Sequence, residues 1–162
     1  MLIRRERPSD IDAITAVTSA AFKAGPEVQL IEWLRADEGW IPELSLVADG
    51  VIGHVVCTRG YVGDVPALGL GPLSVHPDHQ RQGVGKALMH SVIGAAEAMN
   101  EKVIVLLGSP DYYSRYGFRL AREFGITPPV AEWDPHFQVR PLGTSDEVPS
   151  GAFRYAEPFN RL

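Results

Sequence analysis

The feature that most constrains this chain is the stretch from residue 68 to residue 107. An apolar run, Leu68-Gly69-Leu70-Gly71-Pro72-Leu73-Ser74-Val75, reads as a strand. His76-Pro77-Asp78 makes a turn, and a long helix follows with Val84, Leu88, Val92, Ala96 and Met99 recurring on one face. Residues 102–107 close the unit with the run Val-Ile-Val-Leu-Leu, a strand meant for burial on both sides. Two parallel strands joined by a helix form a right-handed crossover, with ligands expected near the carboxyl ends of the strands. Pro72 cannot donate to a ladder, so a bulge or an edge is expected beside it.

The flanking sequence supplies elements for both faces of that sheet. Residues 2–4 suggest a short strand. Ser9-x-x-Asp12 resembles a capping box before a helix carrying Ile11, Ile14, Val17, Thr18 and Phe22. Gly25-Pro26 breaks that helix, and a second presents Val28, Leu30, Ile31 and Leu34. Asp49-Gly50 between apolar runs 44–48 and 51–57 signals a two-residue hairpin. Downstream, residues 110–116 read as a short helix ended by Gly117. Phe118 starts a strand, and residues 137–139 and 153–155 add two more. Residues 125–135 read as a proline-rich loop over one end of the sheet. The expected class is α/β (mixed α+β), a mixed sheet with helices on both faces. No repeat or boundary divides the chain, so residues 1–162 are expected to form a single domain.

Within the crossover, residues 73–88 carry the chemistry. The chain leaves a strand, turns, and starts a helix through Gly83 and Gly85. Unpaired N–H groups and the positive end of the helix dipole gather there, and glycine lets an anion approach them. Arg81 and Lys86 add charge. A nucleotide-triphosphate loop of the form G-x-x-x-x-G-K-[ST] is excluded, because Gln80 stands at its first glycine and Ala87 at its hydroxyl. A dinucleotide fingerprint is disfavoured by Leu88 at its third glycine.

The pattern that fits is Q/R-x-x-G-x-G/A, met by Gln80-x-x-Gly83-x-Gly85, followed after the next strand by Tyr113-Ser-Arg-Tyr-Gly117-Phe118. With these motifs the chain resembles the GNAT superfamily of N-acetyltransferases. The segment from Gly108 to Phe118 is similar to a bacterial, YhbS-like branch of it. The resemblance implies a mostly antiparallel sheet with one parallel crossover. It also implies acetyl-CoA as co-substrate, no metal, and an amine of a small molecule or peptide as acceptor. Backbone groups of Leu73, Ser74 and Val75 would pair with the pantetheine arm, in a slot that Pro72 helps to splay open. Gln80, Arg81, Gln82, Gly83, Val84, Gly85 and Lys86 would hold the pyrophosphate, with Ser109 as a further cofactor contact. Tyr113, with Tyr112 as its alternative, would protonate the leaving thiolate; a phenol of pKa ~10 is protonated at neutral pH. Cytoplasmic location and a homodimer are compatible with the resemblance.

One family feature is missing. Many members carry a glutamate on the strand before the loop, whereas residues 69–75 hold no carboxylate. An alkylammonium must lose a proton before attack, at a cost of about 4–5 kcal/mol near pH 7. Glu27, Glu32, Asp64 and Asp111 are candidate bases, and a water chain or a pre-deprotonated substrate would also suffice. The same gap sustains an alternative, a non-catalytic module that binds or senses CoA.

Other features read as structural. His76-x-x-His79 lacks the further ligands a zinc site needs. Cys57, the single cysteine, excludes an internal disulfide and reads as a buried thiol. Trp33, Trp40 and Trp133 read as packing residues, although Trp133-x-x-His136-Phe137 lies where an acceptor site would form. A net charge of −5 argues against a dedicated nucleic-acid binder and favours a neutral or cationic substrate. The amino-terminal residues carry no apolar leader, and no apolar run approaches the ~20 residues of a membrane span.

Overall fold

The computed structural model of the chain describes residues 1–143 and 147–162. Its elements are β1 (Ile3–Arg5), α1 (Ile11–Ala21), α2 (Glu27–Arg35), β2 (Trp40–Ala48), β3 (Gly53–Val62), β4 (Val65–Val75), α3 (Val84–Ala98), β5 (Val103–Leu107), α4 (Pro110–Tyr113), β6 (Arg119–Leu120), β7 (Ile126–Thr127), β8 (Phe137–Pro141) and β9 (Gly151–Arg154). The sheet runs β1-β2-β3-β4-β5-β8-β6, with β9 on the far end of β3 and β7 beside β9. Along that path only β4 and β5 are parallel. The expected class and the crossover are therefore what the chain forms.

Period-two alternation sorts the strand residues between the two layers. On β5, Ile104 and Leu106 join the core beneath α3, whereas Val103 and Val105 face a second cluster with Phe137, Val139 and Phe153. The stripe Val84, Leu88, Met89, Val92, Ile93 and Ala96 seals α3 over β2, β3 and β4. Met99, expected in that stripe, lies just past the last helical turn and is 37% exposed. On the opposite face, Ile14 of α1 and Ile31 of α2 close over Val47.

Local expectations failed in three places. The carboxylate that organises the start of α1 is Asp10, not Asp12. It takes a bidentate pair from Arg4 (2.7 and 3.0 Å) and the Arg7 N–H (2.7 Å), because Pro8 first sets a short 3-10 turn. The link from β2 to β3 is longer than a two-residue hairpin, since Ala48 pairs with Gly53. Gly50 and Val51 both turn left-handed there, and Val51 packs on the Val47 cluster. The stretch taken as a loop holds β7 and a 3-10 turn over Ala131–His136.

A buried polar group ties β1 to the sheet. Ser45 Oγ lies 2.9 Å from His54 Nε2 and bonds the Glu6 carboxylate, which Arg35 also grips at 3.1 Å. Burial opposes charge on Glu6, but hydrogen bonds from Arg35 and Ser45, with the His54 ring 3.7 Å away, win and hold its pKa at about 2. Burial lowers the pKa of His54, so its imidazole is neutral at pH 7. Cys57 is fully buried, which pushes its thiol pKa up and leaves it inert.

Candidate active site

The site begins where β4 and β5 part. Their ladder consists of Leu68–Ile104 and Gly69–Val105, after which Leu106 and Leu107 keep only the pairing with β8 that runs along all of β5. Beyond Gly69, β4 stays bonded to β3 through Leu73, Ser74 and Val75, so its other edge is left without a strand partner. The bulge expected at Pro72 is present: Leu70 to Leu73 on β4 oppose Val55 to Cys57 on β3, one residue more against one fewer. Leu73 and Val75 line the resulting cleft, together with Ala21 and Phe22 from the end of α1. Ser74 does not. Its side chain is buried on the other face, 3.5 Å from Thr18 Oγ1, so only its backbone borders the slot.

One end of the slot is built for an anion. Helix α3 starts at Gly83 with no side-chain cap, and its first intrahelical bond runs from Ala87 N–H to Gly83 O. The N–H groups of Val84, Gly85 and Lys86 are thus the unpaired first donors of a 15-residue helix. Gly83 sits at φ +85° with nothing within 4 Å of where a Cβ would stand. Arg81 is also left-handed, at φ +62°. That conformation costs a non-glycine residue roughly 1–2 kcal/mol, and such backbone turns form anion-binding concavities. The glutamines serve the loop itself: Gln80 Nε2 bonds Val75 O at 3.2 Å, and Gln82 Nε2 reaches Asp78 O at 3.4 Å. Lys86, Arg115 and His90 rim a cavity of about 730 Å³ that shares Arg81, Gly85 and Tyr112 with the cleft.

The other end is apolar. A cavity of about 410 Å³ shares Phe22 and Leu73 with the cleft and is lined further by Leu70, Leu106, Trp133, Tyr155 and Tyr113. Gly108 makes room for the Tyr113 ring, since a Cβ there would lie 2.5 Å from it. Gly69 does the same for Tyr155, at 2.7 Å. Burial, with a smaller contribution from Tyr112, pushes the Tyr113 phenol up to about 12. Tyr112 looks the other way. Its hydroxyl accepts from Tyr116 at 3.1 Å and lies 3.0 Å from where a Cβ on Gly85 would stand. Both tyrosines border β4: Tyr112 lines the cleft beside Leu73 and Val75, and Tyr113 lines the apolar cavity beside Leu70 and Leu73.

This architecture matches known proteins. Residues 41–120 match the model of the acetyltransferase (GNAT) domain. Over its whole length the chain is 32% identical to the uncharacterized N-acetyltransferase YhbS of Escherichia coli K12, and it covers all of that protein. The chain belongs to the GNAT acetyltransferase family. The crystal structure of the E. coli YhbS protein in complex with CoA superposes with a TM-score of 0.91 at 31% identity, over 99% of this chain and 92% of that one. A GNAT acetyltransferase from Brucella melitensis, solved with acetyl-CoA, gives 0.80 at 32% identity, over 98% and 97%.

Within this GNAT framework, the four candidate bases separate cleanly. Glu32 is exposed and bonded to Gln29 at 3.1 Å; Asp64 and Asp111 are exposed on a hairpin turn and on α4. Glu27 alone lines the cavity with Tyr113. Ser109 precedes α4, exposed, and its carbonyl accepts from the N–H groups of Tyr112 and Tyr113. His76 and His79 stack edge to face on the surface turn, and no group of metal ligands occurs among the described residues. Arg115, His90, Phe22, Tyr155 and Phe159 were not foreseen. Arg115 lies inside the Tyr113–Gly117 motif, where its charge was a usable signal; the aromatic residues carried none. No described helix is long and apolar enough to cross a membrane.

Proposed function

We propose that the chain, residues 1–162 acting as one domain, binds acetyl-CoA along the open edge of β4 and transfers its acetyl group to an amine. The observation that carries this reading is a single slot with an uncapped helix start at one end and Tyr113 at the other. The N–H groups of Val84, Gly85 and Lys86 suit the pyrophosphate, with Arg81, Lys86 and Arg115 supplying charge. Backbone groups of Leu73, Ser74 and Val75 suit the pantetheine amides, as an added strand would. The relatives solved with CoA and acetyl-CoA support that assignment.

When bound, acetyl-CoA supplies the thioester carbonyl that the amine attacks. Tyr113 serves the departing sulfur. With its pKa at about 12 it is neutral at every working pH and always has a proton to donate. Complete transfer to a thiolate of pKa ~8.5 is uphill by roughly 5 kcal/mol, so Tyr113 works first as a hydrogen-bond donor. Its proton moves fully to sulfur as the new amide nitrogen gives up a proton in turn.

The test is a thiol-release screen with acetyl-CoA against amines, amino acids, aminoglycosides and peptides, with acetyl-CoA affinity measured alongside. Thiol release with an acceptor supports the reading. Acetyl-CoA binding without release by any acceptor would overturn it in favour of a binding or sensing module, the role that the carboxylate-free stretch 69–75 favours.

A further inference from the structure

The apolar end of the slot has one discordant group. Among the residues lining the 410 Å³ cavity, Leu30, Leu70, Leu106, Trp133, Tyr155 and Phe159 present hydrocarbon, and Glu27 carries the only charged side chain. Glu27 Oε2 is buried and has no hydrogen-bond partner. The other deeply set carboxylates are each answered by an arginine: Asp10 by Arg4, Glu6 by Arg35 and Glu101 by Arg59. Glu27 makes no ion pair among the described residues.

A carboxylate oxygen left unpaired in an apolar wall costs stability unless a ligand answers it. As the first residue of α2, Glu27 also favours the helix dipole, but that role needs an exposed carboxylate no less than a buried one. It does not account for the placing of the only charged side chain of that lining on the cavity that holds Tyr113. One carboxylate oxygen, Oε2, is tucked where a Cβ on Gly25 would stand 2.6 Å from it, and Glu27 still lines the cavity.

We infer that this cavity receives a primary amine carried on a single apolar body, aryl or alkyl, with its ammonium on Glu27. The inference rests on the acetyl-transfer reading and names its acceptor class. The aromatic and leucine walls take the hydrocarbon, whose removal from water favours binding. One carboxylate answers one ammonium. A polyamine or aminoglycoside would bring further cations to lining side chains that carry no second charge. Glu27 then takes one proton from the ammonium, and the freed nitrogen attacks the thioester carbon. The C–S bond breaks as Tyr113 gives its proton to sulfur. The second nitrogen proton returns to the Tyr113 oxygen, and the proton on Glu27 leaves to solvent, so the reaction releases one proton overall.

The experiment is calorimetry on the protein saturated with CoA, which cannot react, titrated with phenethylamine, hexylamine and tryptamine. Phenethyl alcohol and spermidine serve as controls, and Glu27→Gln is run beside the wild type. Because Glu27 makes no ion pair among the described residues and Gln gives up only the helix-dipole contribution, the variant is expected to unfold within about 4 °C of the wild type. At least one apolar amine should bind more tightly than spermidine and lose tenfold or more in Glu27→Gln, whereas phenethyl alcohol and acetyl-CoA bind both proteins equally. The inference is overturned if none of the three amines binds, if the variant binds them as the wild type does, or if spermidine binds best. Thiol release with a polycationic acceptor that Glu27→Gln leaves unchanged would sink this inference while leaving acetyl transfer intact. If the wild type binds no CoA, the proposed function fails first, and the same titration of the free protein still decides whether Glu27 receives the amine.

Discussion

The two ends of the slot are built on opposite plans. The anion end is one contiguous segment, residues 80–86, and its working groups are backbone N–H donors fixed by left-handed turns at Arg81 and Gly83. The acceptor end is an assembly of side chains from α1, α2, β4, α4 and the carboxyl-terminal third, brought together only by the fold. A cofactor shared across a family can be held by backbone, which tolerates changes of side chain. An acceptor particular to one protein must be read by side chains, which are free to vary. On this view, substitutions at the two ends should separate cleanly into effects on affinity and effects on turnover.

The largest effect is expected from Tyr113→Phe, which removes the proton donor while keeping the ring against Gly108 and Phe118. Turnover should fall by about 10²–10⁴-fold in a thiol-release assay, the usual worth of a positioned acid. A fall of less than threefold would return the role to Tyr112 or to water.

Next comes Gly83→Val at the opposite end. A β-branched residue at φ +85° is strained, and its side chain would stand in the space left clear before the helix N–H groups. Acetyl-CoA affinity, read by calorimetry, should drop by at least about tenfold, since holding the phosphates off even one helix N–H forfeits a charged hydrogen bond of about 1.5–3 kcal/mol. Unchanged affinity would mean that the phosphates sit elsewhere.

Arg115→Ala should be milder, raising the acetyl-CoA Kd by about three- to fivefold in low salt, as expected of an exposed cation contributing under ~1 kcal/mol. The difference should shrink as salt is added, because screening acts on exposed pairs. An effect on turnover at saturating acetyl-CoA would break the separation of the two ends.

The smallest expected effect concerns pH. Because burial raises the Tyr113 phenol to about 12, its protonated form persists across the alkaline range. Turnover should therefore show no loss assignable to tyrosine ionisation up to about pH 10, the value at which a solvated phenol would be half ionised. A basic limb near that pH that disappears in Tyr113→Phe would contradict the burial of this side chain.

How much was legible in the sequence follows the same division. Gln80-x-x-Gly83-x-Gly85 was readable because the anion end is made of consecutive residues whose chemistry lies in the backbone. Pro72 announced the bulge that opens β4, since a missing N–H must interrupt a ladder. Tyr113 was marked by its fixed distance to Gly117, which turns left-handed at φ +88°. The functional assignments of these residues are expectations that the geometry suits and that the variants above examine. Ser74 borders the slot with its backbone alone, because period-two alternation sends its side chain to the α1 face. The acceptor cavity was opaque. Phe22, Trp133, Tyr155 and Phe159 meet there from opposite ends of the chain, and no local pattern relates them. Glu27 stood among four equal candidates until the fold set one on the cavity and left the rest exposed. The two-residue β7 is shorter than any periodicity can register.

In the proposed reading, cofactor binding and proton donation reside in separable parts of one slot. The acetyl-CoA dissociation constant of Tyr113→Phe, measured by calorimetry, tests that separation most directly. A value within about twofold of wild type is expected, because the phenol oxygen meets the developing thiolate and not the bound ground state. A loss of tenfold or more would show that Tyr113 helps to build the cofactor site, and the division between the two ends would not stand.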